Sequence, residues 1–430
     1  MGFALTLFYL FSTFITPAEV MPVLLPYRVM LVLLLLTLMA STLTMLGSRF
    51  SFKAPQLPLL IALVVDCGFT VLYADKWFGG AMDAVMNLLF LLGIVLMVSW
   101  NVITLSRLRA LVLLLAAVGT IVTLRGCLGL ENYGNETYVM HETDQDQTGQ
   151  VLHLDRIMGQ GVLNDPNDLG QFLLICIALL GCCWKKRKLV SNLFLVLLPG
   201  SIMFAGILLT KSRGAMLGLL VMTLFLLREK LGQIGSLIGT IAGGVGILGM
   251  AVMTGRGLSL SEGSAAGRLD AWYAGFQMLK GSPLFGVGFQ RFTEHNPLTA
   301  HNSYMLALAE LGVPGFLIWL AIIVCSTLQV RALSIMPGGT ETLDEIRHAA
   351  RYVYLAFIMF VVTAWFLSRS YTTVLFVLIG CAVALTEIVR RQGVIQEAKE
   401  KISWTLATAV SAVLFVVSVY VLLRIRGLAA

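Results

Sequence analysis

Four short polar motifs interrupt a chain that is otherwise apolar: Asp165-Pro166-Asn167-Asp168, Ser212-Arg213-Gly214, Gly267-Arg268 and Ala300-His301-Asn302-Ser303-Tyr304. Each stands where an apolar run starts or ends. Their side chains suggest two kinds of chemistry. A guanidinium is always charged and presents a fork of donors that matches phosphate oxygens. An imidazole titrates near neutrality, so it can take a proton from a hydroxyl. Arginines and one histidine gathered at one membrane face would therefore bind an anion beside a proton-transfer group.

Arg213 carries this reading furthest. It lies in Leu209-Thr210-Lys211-Ser212-Arg213-Gly214-Ala215-Met216, a polar break so short that Lys211 and Arg213 are held near the membrane interface. Gly214 and Ala215 let a backbone or a headgroup approach closely. Arg268 opens a segment with apolar residues at 269, 272, 273, 276 and 279, the spacing of one buried helical stripe, and Gly281 and Pro283 end it. This is expected to be an amphipathic helix on the outer membrane surface with Arg268 in its first turn, where its charge adds to the positive helix end. The alternative is a plain interfacial anchor. His301 begins a long apolar span; the alternative there is a capping or interface residue. Asp165, Asn167, Arg291, Asn302 and Arg369 are counted as supporting groups. Arg28, Arg125, Arg156 and Arg256 are expected to pair with acidic loop residues. Asp144-Gln145-Asp146 has the spacing of a metal-binding acidic pair but lies in a generally acidic loop, so neither metal nor cofactor is expected.

The elements that must position these groups are membrane helices. Hydrophobic residues make up 58% of the 430 and charged residues 12%, with mean hydropathy +0.88. A soluble domain needs roughly twice that charge. The fold class expected is an all-α polytopic membrane protein of about 12–13 transmembrane helices in a single domain over 1–430. Apolar runs place them at 3–20, 29–47, 57–74, 81–103, 108–128, 168–184, 190–210, 214–228, 234–254, 302–330, 352–368, 371–389 and 404–424. The short second half of the pair at 352–389 is the weakest of these runs, and 331–351 reads as a polar loop with an amphipathic helix around Leu343–Tyr354. The first run lacks a basic leader and a cleavage site, so it is expected to stay as a helix. Basic residues at Arg49, Lys53, Arg107, Arg109, Lys185–Lys188, Arg228, Lys230, Arg390 and Arg391 mark the inner loops. That leaves 129–167 and 255–301 outside as the two long loops, the second carrying the interfacial helix. Arg424 and Arg426 fit this count poorly. The pI near 9.1 follows from the inner loops and does not call for nucleic acid. The seven cysteines lie mostly within apolar runs, without metal-ligand spacing.

Order and context of the motifs resemble the O-antigen ligase and O-antigen polymerase (Wzy-type) family of bacterial envelope glycosyltransferases. The resemblance rests on GVLNDPNDLG (161–170), the TKSRGAM break, GRLDAWYAGFQMLKGSPLFGVGFQRF (267–292) and AHNSYMLALAELGVPGFLIW (300–319), and is clearest over about residues 155–330. It implies a fold related to the C-type membrane glycosyltransferases, set in the inner membrane with the active face periplasmic. It also implies a glycan donor carried on undecaprenyl diphosphate and an acceptor that is another glycan, lipid A-core or protein. Partners would then be membrane lipids and other assembly proteins such as a chain-length regulator. Under the resemblance, Arg213 and Arg268, with Lys211, would hold the diphosphate, and His301 would be the base.

Polymerase is favoured slightly over ligase, because compact external loops leave little room to recognise a large core oligosaccharide. A transporter or lipid-linked glycan flippase is the alternative, and Asp66, placed mid-span, would be its telling residue. A purely structural subunit would leave the external arginines unexplained.

Overall fold

The computed structural model describes residues 1–17, 27–48, 50, 53–131, 138–145, 151–228, 231, 232, 234, 263–393 and 403–428. Among them, ten helices are long and apolar enough to cross a membrane. In chain order they are α2 (Val29–Ser48), α3 (Gln56–Asp75), α4 (Phe78–Asn101), α5 (Leu105–Glu131), α6 (Pro166–Leu180), α7 (Leu189–Leu209), α11 (Ser303–Ser334), α12 (Glu341–Ala364), α13 (Thr373–Arg391) and α14 (Trp404–Ile425). Two shorter helices, α1 (Gly2–Ile15) and α8 (213–228), account for two more of the thirteen expected runs. The run expected at 234–254 and Arg256 lie outside the described residues.

Three boundaries differ from expectation. Residues 341–351 are not loop: α12 starts at Glu341, eleven residues before the apolar run, with Thr340 capping the Leu343 amide and Glu341 and Asp344 in its first turn. The amphipathic helix expected around Leu343–Tyr354 is thus present, as the first part of a membrane helix that also takes in 341 and 342. The acidic stretch 129–167 contains an antiparallel hairpin, β1 (Val139–Gln145) and β2 (Val151–Ile157), in register from Val139↔Ile157 to Gln145↔Val151. The interfacial helix, α9 (Gly263–Gly281), begins before Arg268, which therefore sits in its second turn rather than its first.

The short second half of the 352–389 pair is the most buried of the described spans. α13 is apolar almost all round, so it can be buried on every side. Gly380 presses it against Val98 and Val95 of α4, where a Cβ would come within 2.7 Å of Val98. Polar glue appears where hydrocarbon provides no hydrophobic drive: the Asn101 amide of α4 donates to Thr6 of α1 (3.1 Å) and to Ser41 of α2 (2.7 Å).

Contacts sort the loops into two ends. At one end Arg109 donates to the Cys182 carbonyl (3.1 Å) and pairs with Glu345 (3.2 Å), so the segments around Arg107, Lys185–Lys188 and 341–348 lie together. The opposite end carries the hairpin, the starts of α6 and α11, the end of α7 and the connection between α12 and α13.

α11 is broken on the way in. Gly312 is non-helical (φ 67°, ψ −171°) and Pro314 lacks an N–H, so the carbonyls of Ala309 and Glu310 lose their helical partners. The segment after α9 replaces them: Val287 and Gly288 donate to Ala309 and Glu310 (3.0 Å each), and Val313 donates to Pro283 (2.9 Å). Exposed backbone polar groups cannot be left unpaired at membrane depth, so this loop is obligatory. Gly286 (φ 61°) has no room for a Cβ against the Ala309 and Glu310 carbonyls. Gly286→Ala should therefore lower stability by ~2 kcal/mol or more, read as a fall in the thermal midpoint of the detergent-solubilised protein. A midpoint equal to that of the unsubstituted protein would show that the loop does not seat on the break as described.

Candidate functional site

The first turn of α6 supplies the acids. Asp165 caps the helix by accepting from the Asn167 amide (2.7 Å), and Pro166 occupies the first helical position. At the third helical position, Asp168 is buried, and Arg369 meets it with both ends of its fork: Nε donates to Oδ1 at 2.7 Å, and Nη2 contacts Oδ2. A carboxylate at that depth needs such a partner. The Arg369 backbone is fixed in turn, its N–H donating to the Ser303 hydroxyl (2.9 Å), which itself donates to the Leu367 carbonyl (2.5 Å). Ser370 closes the seam by donating to the Ser303 carbonyl (2.7 Å).

The basic break lies against the same helix. α7 ends at Thr210, Lys211 takes a left-handed conformation (φ 49°), and α8 starts at Arg213. Gly170 of α6 lies so close that a Cβ would meet Ala215 at 2.9 Å and Thr210 Oγ1 at 3.2 Å, and one on Gly214 would meet Phe366 at 3.1 Å. The break is thus wedged between α6 and the α12–α13 connection, with Lys211 and Arg213 half-buried.

His301 stands at the mouth of α11. Its backbone is left-handed (φ 47°), a strained state that the neighbours hold in place. On one side Ala300 accepts from Trp272 Nε1 of α9 (2.8 Å). On the other, Asn302 caps α11, accepting from the Tyr304 and Met305 amides (2.9 and 3.0 Å). The imidazole is half-buried within electrostatic reach of Arg268 and Asp165. Burial first, then Arg268, pushes its pKa below the ordinary 6.5, while Asp165 pulls it upward. His301 is therefore neutral at pH 7 and able to accept a proton.

All four sequence motifs meet at this end. Asp165, Asp168, Lys211, Arg213, Arg268, His301 and Arg369 come together around the starts of α6, α8 and α11. Two supporting residues have other roles. Asn302 is buried and spends its carbonyl oxygen on the helix cap. Arg291 is matched by Asp75 of α3 (2.6 Å) and by Glu294, and ties the loop after α9 to α3. Asn167 accepts from Arg156 (3.0 Å). Arg156 also meets Glu142 (2.8 Å), the acidic-loop pairing expected of it, whereas Arg125 donates to the Tyr138 hydroxyl (2.7 Å) and lies over its ring. Asp146 and the side chain of Asp144 are outside the described residues.

Sequence reasoning missed two features. The Asp168–Arg369 pair was not foreseen, although both residues stand in polar motifs at helix ends; nothing along the chain joins positions 201 residues apart. Glu310 was read as part of an apolar run, yet it is buried at 3% exposure. Its Oε1 accepts from the Phe292 amide (3.3 Å), while Oε2 and Asp66 Oδ2 have no hydrogen-bond partner among the described residues.

Residues 198–320 match the family model described as O-antigen ligase. The matched segment holds Lys211, Arg213, Arg268 and His301, while the acids of α6 and Arg369 come from outside it. No curated protein matches the chain.

The buried carboxylate makes the ion pair asymmetric. Arg369→Met strands Asp168 at 6% exposure and should lower stability by ~3–5 kcal/mol. Asp168→Asn leaves Arg369, 42% exposed, largely solvated and should cost only ~1 kcal/mol. Thermal unfolding of the two variants checks the order; equal losses would mean that the pair is not buried as described.

Proposed function

From the match of residues 198–320 to the O-antigen ligase family model, we propose that this protein is an envelope glycosyltransferase. In this reading it transfers a glycan from undecaprenyl diphosphate to an acceptor sugar hydroxyl at the periplasmic face of the inner membrane. The observation that carries the proposal is the seating of half-buried His301 between the Trp272–Ala300 bond and the Asn302 cap at the mouth of α11, within electrostatic reach of Arg268 and Asp165, at the end of the molecule that also holds the Lys211–Arg213 turn. The basic loops at the opposite end support the orientation.

Neutral His301 takes the proton of the acceptor hydroxyl as its oxygen attacks the anomeric carbon. The bond from that carbon to the diphosphate oxygen breaks on the opposite face, and the diphosphate leaves with the electron pair. Lys211, Arg213 and Arg268 offset the charge that builds on it, the contribution that usually dominates such reactions. The lipid diphosphate stores the energy, so no nucleotide is consumed. An apolar groove of about 640 Å³, lined by Leu217 of α8, Leu320 of α11, Phe415 of α14 and the aromatic residues Tyr304, Trp365 and Phe366, supports this reading. Leu217 lies about one helical turn from Arg213, so a chain in the groove would bring its polar head to the cations. The acceptor is read as another lipid-linked repeat in preference to lipid A-core, on the compactness of the external loops.

A transport reading draws on Asp66, which lies against Gly315 just beyond the α11 break. Carbonyls freed by that break are bonded to Val287 and Gly288 and do not line a path, so the transferase reading is preferred. Asp66→Asn should leave transfer intact; loss of glycan export with lipid-linked precursor retained on the inner leaflet would favour transport.

His301→Ala should reduce transfer ~10²–10⁴-fold with donor binding retained, while the exposed His295 replaced by alanine should stay active. Arg213→Lys and Arg268→Lys should both cripple transfer, because a point charge does not replace the guanidinium fork. The sign of the pH dependence follows from the depressed pKa of His301: the neutral base is lost, and activity falls, as the pH drops through a point below the ordinary 6.5. A purified protein assayed with lipid-linked donor decides these points. Full activity of His301→Ala would remove the base from the mechanism. Cysteine labelling with an impermeant reagent should mark position 150 from outside and spare 187; the reverse would put the site in the cytoplasm.

A further inference from the structure

Arg156 is 6% exposed, and its guanidinium bonds three different segments. Nε donates to the Thr210 carbonyl (2.9 Å), Nη1 to Glu142 Oε2 (2.8 Å) and Nη2 to Asn167 Oδ1 (3.0 Å). Thr210 closes α7, and helix-terminal carbonyls lack intrahelical partners and carry partial negative charge. A buried cation is matched to that end. Asn167 stands in the first turn of α6, the helix that carries Asp165 and Asp168. One side chain thus joins the end of one helix to the start of another, and the cationic turn follows directly from the first.

Lys211 is left-handed (φ 49°) immediately after the carbonyl that Arg156 grips. A non-glycine residue stays in that conformation only when its surroundings over-determine it. Gly170, Thr210 and Ser212 are already in contact on one side of the turn; Arg156 supplies the polar tie on the other. Its charge is matched by Glu142 of β1, so it is not presented to a ligand as a diphosphate-binding cation.

We propose that Arg156 is a positioning residue: it sets the Lys211–Arg213 turn against the Asp165–Asp168 helix start, and so fixes how the cations meet the leaving diphosphate. This rests on the transferase reading for its kinetic consequence, but not for its structural one. A lysine at 156 keeps the charge and cannot make the three bonds, since no single ammonium reproduces the planar fork.

The test uses full-length Arg156→Lys and Arg156→Met, with Arg125→Met as the control for loss of a hairpin contact, in nanodiscs. Hydrogen exchange of the 208–216 amides should rise in both Arg156 variants and stay unchanged in α11. KM for undecaprenyl-diphosphate-linked glycan should rise ~10-fold or more, the scale of one charge-assisted hydrogen bond, with a smaller change in kcat. Arg125→Met should leave KM and 208–216 exchange near the unsubstituted values. A lower thermal midpoint with unchanged KM and unchanged 208–216 exchange in the folded fraction would reduce Arg156 to a stabilising contact and overturn the proposal. If the unsubstituted protein transfers no glycan, the transferase reading fails, and exchange at 208–216 alone still decides whether Arg156 sets the turn.

Discussion

A carboxylate placed inside the first turn of a membrane helix has to be matched, and the match for Asp168 comes from Arg369, 201 residues further on. Much of that end of the molecule follows from that requirement. To reach Asp168, the α12–α13 connection must cross the start of α6, and in crossing it lies over Ser303, which bonds both Leu367 and the Arg369 amide. The mouth of α11 is thereby set beside the mouth of α6. His301, one turn outside that seam, has its place decided by an ion pair it does not touch.

A second constraint operates deeper. Hydrocarbon does not satisfy a broken backbone, so the break at Gly312 requires a substitute donor set, and the segment after α9 supplies it. The glycines of Gly-Val-Gly and Leu-Gly-Val-Pro-Gly are therefore two halves of one joint. Beneath the joint, Phe289 donates its amide to the Thr70 hydroxyl of α3 (3.2 Å) and Arg291 pairs with Asp75. The loop that leads to His301 is anchored to three helices before it arrives.

Several cations at this end are held by carboxylates. Cations with a close acidic partner, such as Arg291 with Asp75 and Arg156 with Glu142, act as ties. Arg268 also bears on His301: with burial the larger cause, its charge lowers the imidazole pKa against the opposing pull of Asp165. One residue type thus serves two purposes, separated by what each guanidinium faces.

Membrane class, the approximate spans and the sharing of one end by the four polar motifs were all legible in the chain, because hydropathy and basic-residue asymmetry are local properties. So was the apolar stripe of α9, and the same local reading singled out Lys211, Arg213, Arg268 and His301 as candidates. Helix starts in polar sequence were not: Glu341 opens α12 through a threonine cap and first-turn acids, which apolar content does not register. The hairpin was hidden within an acidic loop, and its partner strand contributes Glu142 to a tie that periodicity cannot reveal. The burial of α13 and the joint at Gly312 likewise needed the neighbours to be in place. Local composition determined which residues lie at the membrane ends; only the tertiary structure decided which of them meet, because a charge at low dielectric selects its partner by proximity in space and not along the chain.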